Sequence, residues 1–202
     1  MDNKVTPHRS QHNKLKMGHL TLLFGCMFAQ KTTELIRRIR RYESIGMHVL
    51  VINYKGDTRY TNEQKIATHD RVMCDAISLT SLEEAQTYLN EKKYDVLIID
   101  EAQFFKDLYT NVTQWADNLQ MQIVVCGLDG DSERRPFGDI LRLIPHAEEV
   151  ERLTAFCSMC RDGTPATFTK YLDNRKKEEN EVAIGSGEVY MPVCRFHYLE
   201  NK

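Results

Sequence analysis

Four short, almost wholly apolar runs decide most of what this chain can become: HLTLLF at 19–24, HVLVIN at 48–53, YDVLIID at 94–100 and MQIVVCG at 121–127. A strand that is apolar at successive positions buries both faces, as happens in a parallel sheet covered by helices on each side. The segments between the runs carry helix signals. KTTELIRRIRRYES (31–44) places Leu35, Ile36, Ile39 and Tyr42 on one face and arginines on the other. SLEEAQTYLNE (81–91) opens with Ser81 and an acid three residues on, a capping-box pattern, and DLYTNVTQWADNLQ (107–120) also reads as helix. Strands alternating with helices predict an α/β fold with a parallel sheet flanked by helices. The stretch from Tyr54 to about Asp75 is polar and shows no period, and residues 1–17 read as a disordered tail. After about Glu151 the alternation stops. The expected organisation is a tail at 1–17, the α/β domain at 18–150 and a separate small lobe at 151–202.

Charge and cysteine usage exclude several roles. With 27 basic and 29 acidic residues among 202, the net charge is −2, so no basic coat for nucleic acid is present. Arg37, Arg38, Arg40 and Arg41 read as a solvated helix face or an oligomer contact. No apolar run has the length of a membrane span and the N-terminus lacks a signal-peptide core. Of 6 cysteines, two lie in apolar runs, Cys74 stands alone, and three share a local context. The expectation is a reduced, intracellular protein that binds neither membrane nor nucleic acid; these grounds do not separate cytosol from nucleus, and a cytoplasmic location is taken as the expectation.

The loop between the first strand and the first helix reads Gly25-Cys26-Met27-Phe28-Ala29-Gln30-Lys31-Thr32-Thr33. It approximates the phosphate-loop pattern GxxxxGK[ST], in which backbone N–H groups and a helix N-terminus cradle phosphates, Lys neutralises them and the hydroxyl holds Mg²⁺. The second Gly is replaced by Gln30, and an ordinary strand–turn–helix also fits. At the end of the third apolar run, IIDEAQFF (98–105) places Asp100 and Glu101 where phosphate-loop proteins keep the carboxylate that orients Mg²⁺. A carboxylate pair capping the next helix is the bland alternative. Both motifs in one sheet favour a Mg-nucleotide site and a P-loop NTPase-like sheet. Cys157-x2-Cys160 and Cys194-x2-His197 have the spacing of a structural Cys₃His zinc site; unrelated buried thiols are the alternative. Such a metal would clip together the ends of the 161–193 segment.

The segments GHLTLLFGCMFAQKTTELIRRIRRYE, VINYKGDTRY, THD, IIDEAQFF, CGLDGDSERRPFG, LTAFCSMC and GEVYMPVCRFHY occur in order. Together they closely resemble the type II (cellular and poxviral) thymidine kinase family across nearly all of residues 18–198. The resemblance implies transfer of the ATP γ-phosphoryl to the 5′-hydroxyl of thymidine or deoxyuridine, in salvage of pyrimidine deoxynucleotides. It implies that Lys31 holds phosphates, that Thr32 and Asp100 serve Mg²⁺, and that Glu101 is the general base. Asp57 and Arg59 match family residues near the transferred phosphate. Phe104 would pack on the thymine ring, with Met27, Leu128, Phe137, Thr169 and Tyr190 lining the base pocket. A lasso loop around 182–190, with Ile184, Gly185 and Gly187, would grip the base through its backbone. The family pattern further implies structural zinc, a homotetramer, and thymidine triphosphate as a feedback inhibitor.

The chain departs from the family at several points. Gln30 stands where the family has Gly; at a position of positive φ it would add strain of about 1–3 kcal/mol and put a side chain where phosphate should lie. Cys26 replaces Pro, Ala102 replaces the Gly of DEGQFF, Ser132 replaces an aromatic, and the segment after Cys160 is longer by two residues. An active kinase with a modified donor site is the first reading. A catalytically impaired nucleoside- or nucleotide-binding homologue is the second, and a P-loop ATPase without a nucleoside acceptor the third.

Overall fold

The computed structural model describes residues 18–56, 65–67, 73–91, 94–119, 121–172 and 189–200. Strands β1 (His19–Gly25), β2 (Val49–Tyr54), β3 (Lys65–Ala67), β4 (Met73–Asp75), β5 (Ile77–Leu79), β6 (Val96–Ile99), β7 (Gln122–Gly127) and β8 (Glu149–Leu153) precede the small lobe. Helices α1 (Lys31–Ser44), α2 (Ala85–Glu91) and α3 (Leu108–Asn118) connect them. Six strands form a parallel sheet in the order β5-β2-β6-β7-β1-β8.

Both faces of this sheet are covered, which is why its inner strands are apolar throughout. On one face Leu35, Ile36 and Ile39 of α1 pack on Leu23, Val51, Ile98 and Val124. On the other, Leu108, Val112 and Trp115 of α3, with Ile140 and Leu143 of a 3₁₀ turn (Ile140–His146), pack on Leu22, Ile52, Leu97 and Val125. The helix expected at 81–91 begins as a 3₁₀ turn (Leu82–Glu84) and continues as α2, and its capping box between Ser81 and Glu84 is present.

Three features depart from the sequence reading. The polar stretch read as lacking regular structure contains the antiparallel pair β3–β4, followed by edge strand β5. Strand β8 crosses residue 150 and pairs with β1, so the sheet extends to Leu153. It is half polar (EVERL) because it lies at the edge, and so it lacks the apolar run of an inner strand. Arg38 is no solvated helix residue. Its side chain, 13% exposed, bonds Glu34, Glu149 and Glu151 and tethers α1 to β8. Burial disfavours the charged guanidinium, but Glu149 and Glu34 outweigh it and raise its pKa. Arg37 is paired with Glu34 as well.

The small lobe consists of β9 (Ala155–Phe156), β10 (Pro165–Ala166), β11 (Phe168–Tyr171), β12 (Tyr190–Val193) and α4 (Arg195–Leu199), with antiparallel pairs β9–β10 and β11–β12. Among the described residues, no helix is long and apolar enough to cross a membrane.

Asp107 joins the start of α3 to the start of the α2 segment. Its Oδ2 accepts from Ser81 Oγ at 2.7 Å, Glu83 N at 3.0 Å and Asn111 Nδ2 at 3.0 Å. Burial opposes its ionisation, but these bonds prevail and lower its pKa. A depressed folded pKa means the stabilisation is present above the ordinary aspartate range and is lost as pH falls through the folded value. Denaturant unfolding of Asp107→Ala is expected to show a loss of about 1–3 kcal/mol at neutral pH, narrowing in acid.

Candidate active site

The C-terminal ends of β1, β6 and β7 bring Gly25, Asp100 and Gly127 to one rim of the sheet. The loop leaving β1 turns sharply because Gly25 lies against the main chain of β8: a Cβ there would sit 2.2 Å from the Leu153 carbonyl oxygen. Phe28 (φ 64) and Gln30 (φ 57) then adopt the left-handed conformation. Such residues cost about 1–3 kcal/mol each and persist where surroundings over-determine them.

Those surroundings come from the small lobe. Met27 N–H donates to Thr169 Oγ1 at 3.0 Å, and the Cys26 thiol donates to the Ala166 carbonyl at 3.3 Å. Cys26 and Ala29 are buried with Ala155, Ala166, Val193 and Tyr198 in one apolar cluster. Cys26 therefore takes a packing role where the family has Pro, and burial pushes its thiol pKa up. Lys31 Nζ reaches back across the loop to the Cys26 carbonyl at 2.8 Å. Helix α1 starts at Lys31 with no side-chain cap, so its first-turn N–H groups face the loop's concavity, the arrangement that suits an anion.

Gln30 occupies the strained position the sequence raised as a question. It is the N-cap of α1 at φ 57 and ψ 32, and its carbonyl accepts Glu34 N–H at 3.0 Å. Its side chain is exposed. A side chain other than glycine's thus sits at a left-handed position, and the substitution is felt as strain.

Thr32 Oγ1 donates to Asp100 Oδ2 at 3.3 Å, which joins the loop to the end of β6. A hydroxyl and a carboxylate at this spacing are the hard oxygen donors that Mg²⁺ takes in phosphate sites. Asp100 is 4% exposed, and its Oδ1 accepts Glu101 N–H at 3.0 Å. Glu101 is also left-handed (φ 50) and starts a 3₁₀ turn, Ala102–Phe104. Ala102, in place of Gly, is fully buried within the core.

Phe104 stacks on Tyr54 (centroids 5.2 Å apart) and meets Phe137 edge-on at 5.4 Å. Leu128, Met27 and Thr169 are buried around the same rim, and Tyr190 lies beside Tyr171 with centroids 5.2 Å apart. Asp57, Arg59, Ile184, Gly185 and Gly187 fall outside the described residues, as does the 1–17 tail. Sequence reasoning missed Tyr54, whose position at the end of β2 is the signal that it reaches the same rim. It also missed Tyr198, whose hydroxyl donates to the Ser132 carbonyl at 2.9 Å. Where an aromatic is absent at 132, the main chain is fastened by Tyr198 instead, with Arg134 stacked 4.4 Å over the Tyr198 ring.

Cys157, Cys160, Cys194 and His197 converge, with all ligand atoms within 4.8 Å of one another. Cys160 Sγ lies 3.9 Å from Cys194 Sγ, and His197 Nδ1 lies 3.5, 3.4 and 3.3 Å from the sulfurs of Cys157, Cys160 and Cys194. A zinc tetrahedron with bonds of about 2.3 Å to S and 2.0–2.1 Å to N has edges of about 3.8 Å (S–S) and 3.5 Å (S–N). The four residues fit that figure. Burial opposes ionisation of the Cys157 thiol, but backbone N–H groups of Cys160, Cys194 and Met159 overcome it and lower its pKa to about 6. A thiolate already favoured by its backbone suits a metal ligand.

The family model for thymidine kinase matches residues 18–198. The chain belongs to the thymidine kinase family. Thymidine kinase a of Arabidopsis thaliana is 41% identical over 187 residues, covering 91% of this chain and 76% of that protein. The thymidine kinase of Oryza sativa subsp. japonica is 40% identical over 189 residues, covering 92% and 68%. That of vaccinia virus, strain Western Reserve, is 37% identical over 185 residues, covering 91% and 98%. The family match spans the phosphate loop, the Asp100–Glu101 turn and the Cys₃His cluster alike.

Because Gln30 is left-handed, Gln30→Gly is expected to leave unfolding stability equal or higher and to tighten Mg·ATP binding, read by thermal unfolding and equilibrium titration. A stability loss of about 1 kcal/mol, as for glycine placed inside a helix, would contradict the left-handed assignment.

Proposed function

We propose that the protein phosphorylates thymidine or deoxyuridine at the 5′-hydroxyl, with ATP as donor, and supplies thymidylate in pyrimidine deoxynucleotide salvage. The observation that supports this reading is the contact of Thr32 with Asp100, which joins the loop carrying Lys31 and the uncapped start of α1 to the strand end carrying Asp100 and Glu101.

The loop N–H groups and Lys31 hold the donor phosphates, and Thr32 with Asp100 would hold Mg²⁺, which would supply positive charge to offset that of the transferring phosphoryl group. Glu101 accepts the 5′-hydroxyl proton as the new O–P bond forms and the bond to the β-phosphate oxygen breaks, leaving ADP. Phe104, backed by Tyr54 and Phe137, offers its face to the base, with Met27, Leu128, Thr169 and Tyr190 around it. The family resemblance assigns Arg59 and Asp57 to the transferred phosphate and Ile184 and Gly185 to the base. Cys157, Cys160, Cys194 and His197 hold one zinc ion, whose role is structural because its ligand set is complete. We place the protein in the cytosol as a homotetramer inhibited by thymidine triphosphate, in line with its family and its free cysteines.

The strained Gln30 favours one rival, a family member that binds nucleotide without turning over. Conversion of thymidine to its monophosphate with Mg·ATP, beside a Glu101→Gln control, separates the two. Turnover should fall about 10²–10⁴-fold in the variant; equal rates, or none in either protein, would overturn the kinase reading.

A further inference from the structure

We infer that Gln103 is the residue that positions Glu101 for its role as base, acting as a fixed bridge between that carboxylate and the end of β7. The inference rests on the kinase reading given above.

Gln103 is 4% exposed, and its amide is used at both ends. Its Oε1 accepts the Leu128 backbone N–H at 3.0 Å, and its Nε2 donates to Glu101 Oε2 at 2.6 Å. Leu128 N–H can only donate and an ionised carboxylate can only accept, so just one rotation of the amide satisfies both partners. The donor end therefore always faces Glu101.

Two glycines hold Gln103 in this place. A Cβ at Gly127 would lie 2.3 Å from Gln103 Oε1, and a Cβ at Gly138 would lie 2.3 Å from the Gln103 carbonyl oxygen. Gly138 itself has φ 61, so it is required both for conformation and for clearance. The amide thus sits in a slot made by the ends of two other segments, and the same segments carry Leu128 and Phe137 of the base site.

Glu101 needs such a holder. It lies in a left-handed turn, with its N–H fixed by Asp100. Those constraints set its backbone, and the bond from Gln103 Nε2 bears on its carboxyl group. Binding Oε2 to an immobile donor restricts the rotation of that group. Gln103 touches neither substrate nor the reacting atoms in this account. It is a positioning residue.

The test is a double-mutant cycle on the full-length protein. Gln103→Met removes the donor at nearly constant volume. It is expected to lower kcat about 10–100-fold, the loss of one hydrogen bond to a charged group, while KM for thymidine and for Mg·ATP stays within about twofold. In a Glu101→Gln background the same change should have almost no further effect on kcat, because the residue acts through Glu101. Gln103→Glu guards against a variant that misfolds. It keeps the acceptor for Leu128 N–H and sets a second carboxylate against Glu101, so kcat should again fall with KM retained.

Wild-type turnover lowered about 10²–10⁴-fold by Glu101→Gln, with kcat unchanged in both Gln103 variants, would overturn the inference and leave the kinase reading intact. So would full additivity in the cycle, which marks a general structural role. Absence of wild-type turnover would overturn the kinase reading and the inference with it.

Discussion

The structure depends on how a strained loop is held. Between Gly25 and Lys31 the main chain takes a shape that ordinary residues resist, with Phe28 and Gln30 both left-handed. Gly25 against β8 sets where the loop turns, but the sheet alone does not impose the rest. The shape is imposed from outside, by Thr169 Oγ1 on the Met27 amide, by the Ala166 carbonyl on the Cys26 thiol, and by the apolar cluster that closes over Cys26 and Ala29. All of these belong to the lobe that follows the sheet. The lobe is therefore the wall against which this loop is built.

That wall has little core of its own. Its strands are two to four residues long, and large apolar side chains such as Phe156 and Phe196 stand exposed, 72% and 68%. What can hold it is the Cys157–Cys160–Cys194–His197 cluster, which joins the β9–β10 hairpin to α4. Tyr198, next to His197, then reaches Ser132, and the loop of Ser132 leads to Phe137 and Phe104. The lobe is thus connected by short steps both to the 25–31 loop and to the Phe104–Phe137 pair. The sheet, in contrast, has two large apolar faces and needs no such help.

Much of this was legible in the sequence because inner strands and amphipathic helices carry strong periodic signals. α1 was readable from end to end, since Leu35, Ile36 and Ile39 repeat at helical spacing and Lys31 follows the loop. The Cys₃His set was readable because ligand spacing is local to each pair. β8 was not, because an edge strand alternates polar and apolar residues and Glu149 and Glu151 answer Arg38 rather than a core. Arg38 was misread for the same reason: two of its three partners, Glu149 and Glu151, are more than a hundred residues away. The part played by Thr169 and Tyr198 in holding other loops depends on long-range hydrogen bonds, which leave no trace in composition or period.

The most direct test of this account is Mg·ATP affinity before and after zinc is stripped by a chelator, with secondary structure followed in parallel. The account predicts that the sheet stays folded on its own two apolar faces while affinity falls at least about tenfold, the loss expected when a supporting hydrogen bond is removed, although no Cys₃His ligand touches nucleotide. A folded, metal-free protein that binds Mg·ATP as tightly as before would show that the phosphate loop keeps its shape without the lobe, and would contradict it.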